Sequence, residues 1–401
     1  MERLNFRVTQ AINDNAARKF AAEFDTALIT DLGNTEMQSI CRSFLDFFQE
    51  KVLQVNNFYV VPTEKGTLSN DYAILAGHHH TGKKLVVGSN FTHKSIHQAV
   101  EKQSLDLELI PCHAELGYEM DREELIQKLN QLSGRIGTIV LTIGVPAHGK
   151  LYDFPIDVVQ YFILQQRALG NPIWLHVDAA FGYTEILRRK DQQIRQLMQH
   201  ADSWTVNPHK WVGPMGLSLV GFKDGKLPKL PDQKYFAGAY TMFGSSQSGY
   251  ALAAAWHLMK RPGSIYMLEK LSKEVFSNAQ KMAEIFTKHG FKLVCPVETR
   301  VVAVDLYHPE IRQFDSPLML GDYLKDSFGM IGVDMDICEI NGQHSLRFMM
   351  NPAPKKLFYD RLRKMDSILK SLLPGQISEN LSYIAPEVPA NHPSRPDHIA
   401  A

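Results

Sequence analysis

Between residues 58 and 222 the chain alternates short apolar runs with polar or helix-periodic stretches; the runs are 58–61, 85–88, 107–111, 138–143, 173–177, 203–206 and 217–222. Most are apolar along much of their length rather than at every second position, and Gly, Pro or Asn bounds several of them. That is the pattern of strands buried on both faces of a parallel sheet. Seven such runs interleaved with helical stretches predict an α/β fold, a large domain on a seven-stranded, mainly parallel, doubly wound sheet.

The flanks read differently. Residues 1–50 are helical in pattern, with Phe44-Leu45 and Phe47-Phe48 near the end, and are expected to form an N-terminal arm or dimer-facing segment. The large domain is expected over 51–262, ending with an Ala-rich packed helix at 248–258 and the breaker Pro262-Gly263. A smaller α+β domain is expected over 263–373. Its elements would be a long amphipathic helix at 264–289, strands at 291–295 and 300–306, a helix at 317–326, strands within 330–340 and 345–350, and a last helix at 355–373. The tail 374–401, with Pro386, Pro389, Pro393 and Pro396, has too little apolar content for a core and is expected to be disordered.

Composition narrows the function classes. Lys+Arg and Asp+Glu are both 43, so no bulk charge draws nucleic acid or an anionic membrane. The N-terminus lacks an apolar stretch of signal length and no window is long enough to span a bilayer, so a cytoplasmic location is the default expectation. Cys41, Cys112, Cys295 and Cys338 are scattered without CxxC spacing, which favours reduced thiols over a zinc site. His78-His79-His80 point in different directions on a helix with no acid or cysteine to complete a set, so no metal site is expected.

The candidate chemistry sits where strands end. His176-Val177-Asp178-Ala179-Ala180 and Asn207-Pro208-His209-Lys210-Trp211 each follow an apolar run. Parallel sheets bind ligands at the carboxyl ends of their strands. Asp178 and Lys210 would then stand together where a ligand is expected, a pair suited to pyridoxal phosphate, whose aldehyde takes a lysine and whose pyridine nitrogen takes an acid. Either residue alone reads more simply as solvated surface. Trp211, Val212 and Pro214 make the surroundings of Lys210 apolar, which favours the reactive amine.

With these motifs the chain resembles the group II pyridoxal-phosphate-dependent amino acid decarboxylases, of the aspartate-aminotransferase-like fold type I, from about residue 60 to residue 351. The resemblance implies that Lys210 is the Schiff-base lysine, that Asp178 pairs with the pyridine nitrogen, and that His93 stacks on the cofactor ring and helps position substrate. It implies that Asn207 and His209 approach the cofactor phosphate, that Ala180 lets the ring come close, and that Gly66 and Thr67 belong to the phosphate loop spanning residues 63–70. Arg347 resembles the arginine that grips a substrate carboxylate; its simpler reading is a surface arginine on an edge strand. Tyr240 has the spacing of a mobile-loop tyrosine that returns a proton to the substrate, with Tyr235 nearby. A homodimer with the active site at its interface is implied in the same way.

Three departures stand against the family pattern: Lys65 and Leu68 replace a glycine and an acid in the phosphate loop, Val145-Pro146 stand where hydroxyls are common, and Ser246-Gln247-Ser248-Gly249 lacks an arginine. The activity implied is decarboxylation of an L-amino acid to its amine through Lys210. The same Lys and Asp would equally serve another pyridoxal-phosphate lyase, breaking a carbon–carbon bond or releasing sulfite, and the departures leave room for a non-catalytic scaffold.

Overall fold

A computed structural model of the chain describes residues 19–20, 22–23, 35–113, 117–211, 216–226, 249–333, 335–340 and 342–374. The seven apolar runs become the seven strands of one sheet: β1 (Phe58–Thr63), β2 (Leu85–Ser89), β3 (Asp106–Ile110), β4 (Ile136–Thr142), β5 (Trp174–Asp178), β6 (Ser203–Val206) and β7 (Ser218–Lys223). Their order is β1-β7-β6-β5-β4-β2-β3. Neighbouring strands from β6 to β3 are parallel, and β7 runs antiparallel to both β6 and β1. The register aligns Thr142, Asp178 and Thr205 side by side at the carboxyl edge of β4, β5 and β6.

The chain between strands forms the covering helices. Helix α1 (Thr35–Phe47) runs into a π-helical turn, Phe48–Leu53, and precedes α2 (Gly66–Thr81), α3 (Lys94–Lys102), α4 (Arg122–Leu132), α5 (Ile156–Ala168), α6 (Tyr183–Arg189), α7 (Gln192–His200) and α8 (Gly249–Met259). Helix α2 lies against β4 to β7 and is small on that face. Its Gly77 meets Thr138 and Trp174 so closely that a Cβ would overlap both. Of the expected N-terminal arm, α1 packs on α8, with Phe47 edge-on to Trp256, so this part is covered by its own chain.

A second sheet follows: β8 (Val301–Asp305), β9 (Asp336–Ile340) and β10 (Gln343–Met349), all antiparallel in the order β8-β10-β9. Helices α9 (Ser264–Lys288), α10 (Pro317–Met330) and α11 (Lys355–Ser371) accompany it. Phe286, Phe328 and Phe348 meet in one aromatic core between helices and sheet. Two expectations need correction. The segment 291–295 is no strand, because only Leu293 makes a bridge, to Val304, before Pro296 removes the next donor. Helix α10 continues to Met330 where 326 was expected, so the following strand starts only at Asp336. Residues 375–401 lie outside the described part, and no described helix is long and apolar enough to cross a membrane.

Candidate active site

Beyond the carboxyl ends of β4, β5 and β6 lies a cleft of about 250 Å³ whose walls include Gly66, Thr67, His93, Asp178, Ala180, Asn207, His209 and Lys210. The topology accounts for the convergence. Parallel β4, β5 and β6 deliver their ends to one edge, and the reversed β7 brings Ser218, next to the end of β1, to the same edge.

Lys210 closes the 3-10 turn Pro208–Lys210 that follows β6, its N–H donating to the Asn207 carbonyl at 2.9 Å. Its own carbonyl accepts from Arg300 Nη2 at 3.1 Å. Arg300 is buried with its guanidinium between the rings of Phe181 and Trp211, 4.1 and 4.8 Å from the centroids, and burial lowers its pKa to about 10. The lysine's backbone is thus held from the second sheet.

Asp178 ends β5 with 4% exposure; Oδ1 accepts from the Ala180 N–H at 3.0 Å and Oδ2 from Asn70 Nδ2 at 2.8 Å. Backbone and amide donors of this kind fix a carboxylate in direction. His93 caps α3, its Nδ1 accepting from the Ser95 N–H at 3.2 Å. Burial is the largest influence and lowers the His93 pKa; Asp178 opposes that shift and Lys210 adds to it, so the three groups share one electrostatic environment.

The opposite end of the cleft is built for an anion. Helix α2 starts at Gly66, and the Gly66 and Thr67 N–H groups lie in its first turn, where the helix supplies no acceptors. Gly66 is required here because a Cβ would collide with the Asn207 amide. Asn207 Oδ1 accepts from Ser218 Oγ at 2.5 Å, which turns its Nδ2 toward the loop as a donor. Behind it Ser218, Ser69 and Thr63 join through hydroxyl contacts of 2.9 and 2.5 Å. His209 Nδ1 lies 2.7 Å from the Leu217 carbonyl, to which it donates.

Two of the three departures from the family pattern find physical explanations. Lys65 precedes α2 with φ −148° and ψ 148°, extended backbone open to any residue, and its side chain is exposed, so it does not crowd the turn. Leu68 packs against the cluster of Val61, Tyr72 and Trp174 rather than facing the cleft. Val145 is fully buried, and the Pro146 carbonyl accepts from Arg347 Nη1 at 3.0 Å.

Arg347 reaches the cleft wall through Nη1 on the Pro146 carbonyl and otherwise lies beside a second cavity among β10, α9 and α11, with Nη2 paired to Asp336 at 2.9 Å. The cause is register: Asp336 stands directly opposite on β9 and takes one side of the guanidinium. Tyr235, Tyr240 and 246–248 lie outside the described residues. Asn70, Ser95 and Arg300 carried no role of their own in the sequence; Asn70 fell inside the phosphate-loop segment 63–70, in a polar Ser69-Asn70-Asp71 triplet to which burial alone gives meaning, and Ser95 and Arg300 left no signal.

The donor set fits pyridoxal phosphate: an acid for the pyridine nitrogen, an amine for the aldehyde, a histidine in the same cleft and a helix N-terminus for the phosphate. The fold is shared with Lactobacillus brevis glutamate decarboxylase, with a TM-score of 0.77 at 16% identity over 92% of this chain and 88% of that one. By sequence the chain is 22% identical to serine decarboxylase 2 of Oryza sativa over 63% of its length, and 28% identical to a probable L-tyrosine/L-aspartate decarboxylase of Methanococcus aeolicus over 37%. The matches span 53% and 40% of those relatives' own lengths. Residues 73–306 match the family described as the pyridoxal-dependent decarboxylase conserved domain, more than half of the chain, and with its fold type I architecture the chain belongs to that family.

Proposed function

We propose that this chain decarboxylates an L-amino acid to the corresponding amine, using pyridoxal phosphate carried on Lys210. The observation that carries the reading is the convergence of Lys210, Asp178 and His93 in one cleft with the N-terminus of α2. The chemistry supplied by bound pyridoxal phosphate is an electron sink for the bond broken at Cα.

This chain's residues account for the rest. Asp178, aligned by Asn70 and the Ala180 N–H, holds a proton at the pyridine nitrogen. The Gly66 and Thr67 N–H groups and the Asn207 amide fix the phosphate, so the reacting amine of Lys210 meets the other end in a constant geometry. His93, half-buried in the cleft wall, would lie beside the bound ring. The proton returned to Cα comes from Lys210, His93 or Tyr240. Arg347, engaged by Asp336 and Pro146, serves a substrate carboxylate only after exchanging Asp336. A cytoplasmic homodimer with the cleft at its interface belongs to the same reading, and light scattering of the purified protein tests the dimer.

The deciding experiment is borohydride reduction of the cofactor-loaded protein with peptide mapping, run beside a gas-release screen of the proteinogenic amino acids and cysteine sulfinate. The expected result is a cofactor adduct on Lys210, absent in Lys210→Ala, and carbon dioxide from at least one substrate. An adduct on another lysine would overturn the assignment; a different product from a loaded protein would make it a different lyase.

A further inference from the structure

Beneath the cleft runs a chain of buried polar groups in which every hydrogen has one place to go. Asn70 Nδ2 donates to Asp178 Oδ2 at 2.8 Å, the carboxylate oxygen accepting. The second hydrogen of that amide reaches Ser95 Oγ, also at 2.8 Å. Asn70 Oδ1 therefore faces His176 Nε2 at 3.2 Å, and this nitrogen carries the hydrogen. Burial lowers the His176 pKa to about 4, so the ring is neutral and its Nδ1 accepts, from Ser203 Oγ at 2.9 Å. Ser203 in turn accepts from the Trp174 indole N–H at 2.8 Å, a group that can only donate. The chain closes with a donor at one end and an acceptor at the other.

The branch through Ser95 is equally determined. Its Oγ accepts from Asn70 and gives its own hydrogen to His93 Nδ1 at 2.8 Å, where the Ser95 backbone N–H also points. Two donors on one nitrogen leave it unprotonated. Trp174, His176, Ser203, Asn70 and Ser95 are all at most 1% exposed, so water has no access to rearrange these bonds.

We propose that Asn70 is a positioning residue: its amide, anchored by His176, aims Asp178 at the pyridine nitrogen and, through Ser95, fixes the neutral His93 as the tautomer protonated on Nε2. The proposal rests on the cofactor reading above and adds that Asp178 and His93 act as one hydrogen-bonded unit. His93 then meets its ligand as a hydrogen-bond donor from Nε2, with Nδ1 withdrawn into the protein.

Two measurements test it. In the first, pyridoxal phosphate affinity is titrated by visible absorption in wild type, Asn70→Ala and Asn70→Asp at neutral and mildly acidic pH. The Asn70→Asp change keeps the shape but sets a second carboxylate against Asp178, so affinity should fall roughly 10- to 100-fold at neutral pH. It should recover on acidification, when the new carboxyl gains a proton to donate. Asn70→Ala should bind more weakly than wild type by a factor that pH leaves unchanged. A merely structural Asn70 would lower the melting temperature of both variants with no such pH dependence, and that result would overturn the proposal. In the second, the His93 tautomer is read from nitrogen-15 imidazole spectra of the wild type, its signal assigned by its loss in His93→Gln. Protonation on Nδ1 would sink the proposal even if neither Asn70 variant folds. A wild type that takes up no cofactor, with His93 still protonated on Nε2, would refute the cofactor reading and the aiming of Asp178 at it, while leaving the hydrogen-bond order standing.

Discussion

At Gly66 a single methyl group separates two outcomes. Its φ is not in the left-handed region, and alanine favours helix over glycine, so Gly66→Ala should not weaken the backbone. The added Cβ would instead strike the Asn207 amide and displace the donor facing the phosphate loop. Gly66→Ala is therefore expected to reduce cofactor affinity by about 1–3 kcal/mol with little change in melting temperature, which a cofactor titration beside a thermal melt would check. At this scale the sequence was legible where chemistry coincides with a strand end: Asp178 and Asn207 directly follow an apolar run, and Lys210 stands one short turn beyond. It was illegible where a residue's role depends on a distant neighbour. Arg347 is captured by Asp336 across a strand pair, and Asn70 meets Asp178 across 108 positions of sequence.

Strands outlasted other elements in legibility because a buried parallel strand leaves an unbroken apolar run. Its direction leaves none, and nothing in the run at 217–222 told that β7 would reverse. The segment 291–295 failed for a related reason: apolar character reported its burial beside β8, while ladder pairing was confined to one bridge. The β6–β7 pair carries its own prediction. Gly221 lies opposite Trp204, and a Cβ there would enter the indole ring. With both strands buried the ring cannot move into solvent, so Gly221→Ala should cost about 1–3 kcal/mol. The measurement is the urea midpoint, with the slope m unchanged.

Over the whole molecule, three buried groups away from the cleft floor or beneath it set an acid response. Burial lowers the pKa of His148 to about 3 and of His176 to about 4, and raises that of Asp153 to about 6. Between about pH 4 and 6 the unfolded chain holds two extra protons on the histidines and the folded chain holds one on Asp153. Stability contributed by the histidines is complete above their unfolded pKa and drains as pH falls; Asp153 offsets part of that loss. Taken by themselves, these three groups differ by one net proton and contribute a slope of about 1.4 kcal/mol per pH unit. His148→Gln should flatten it, as urea midpoints across that range would show, and an unchanged slope would contradict the assignment.

The guanidinium that grips the Lys210 carbonyl belongs to residue 300, immediately before β8, and Asn351, just beyond β10, accepts its other arm at 3.0 Å. The lysine's peptide plane is therefore hinged to the smaller sheet as well as to its own. Any rocking of one layer against the other must either carry the amine with it or tear that bond, so the nucleophile doubles as a gauge of how the two halves of the chain are seated.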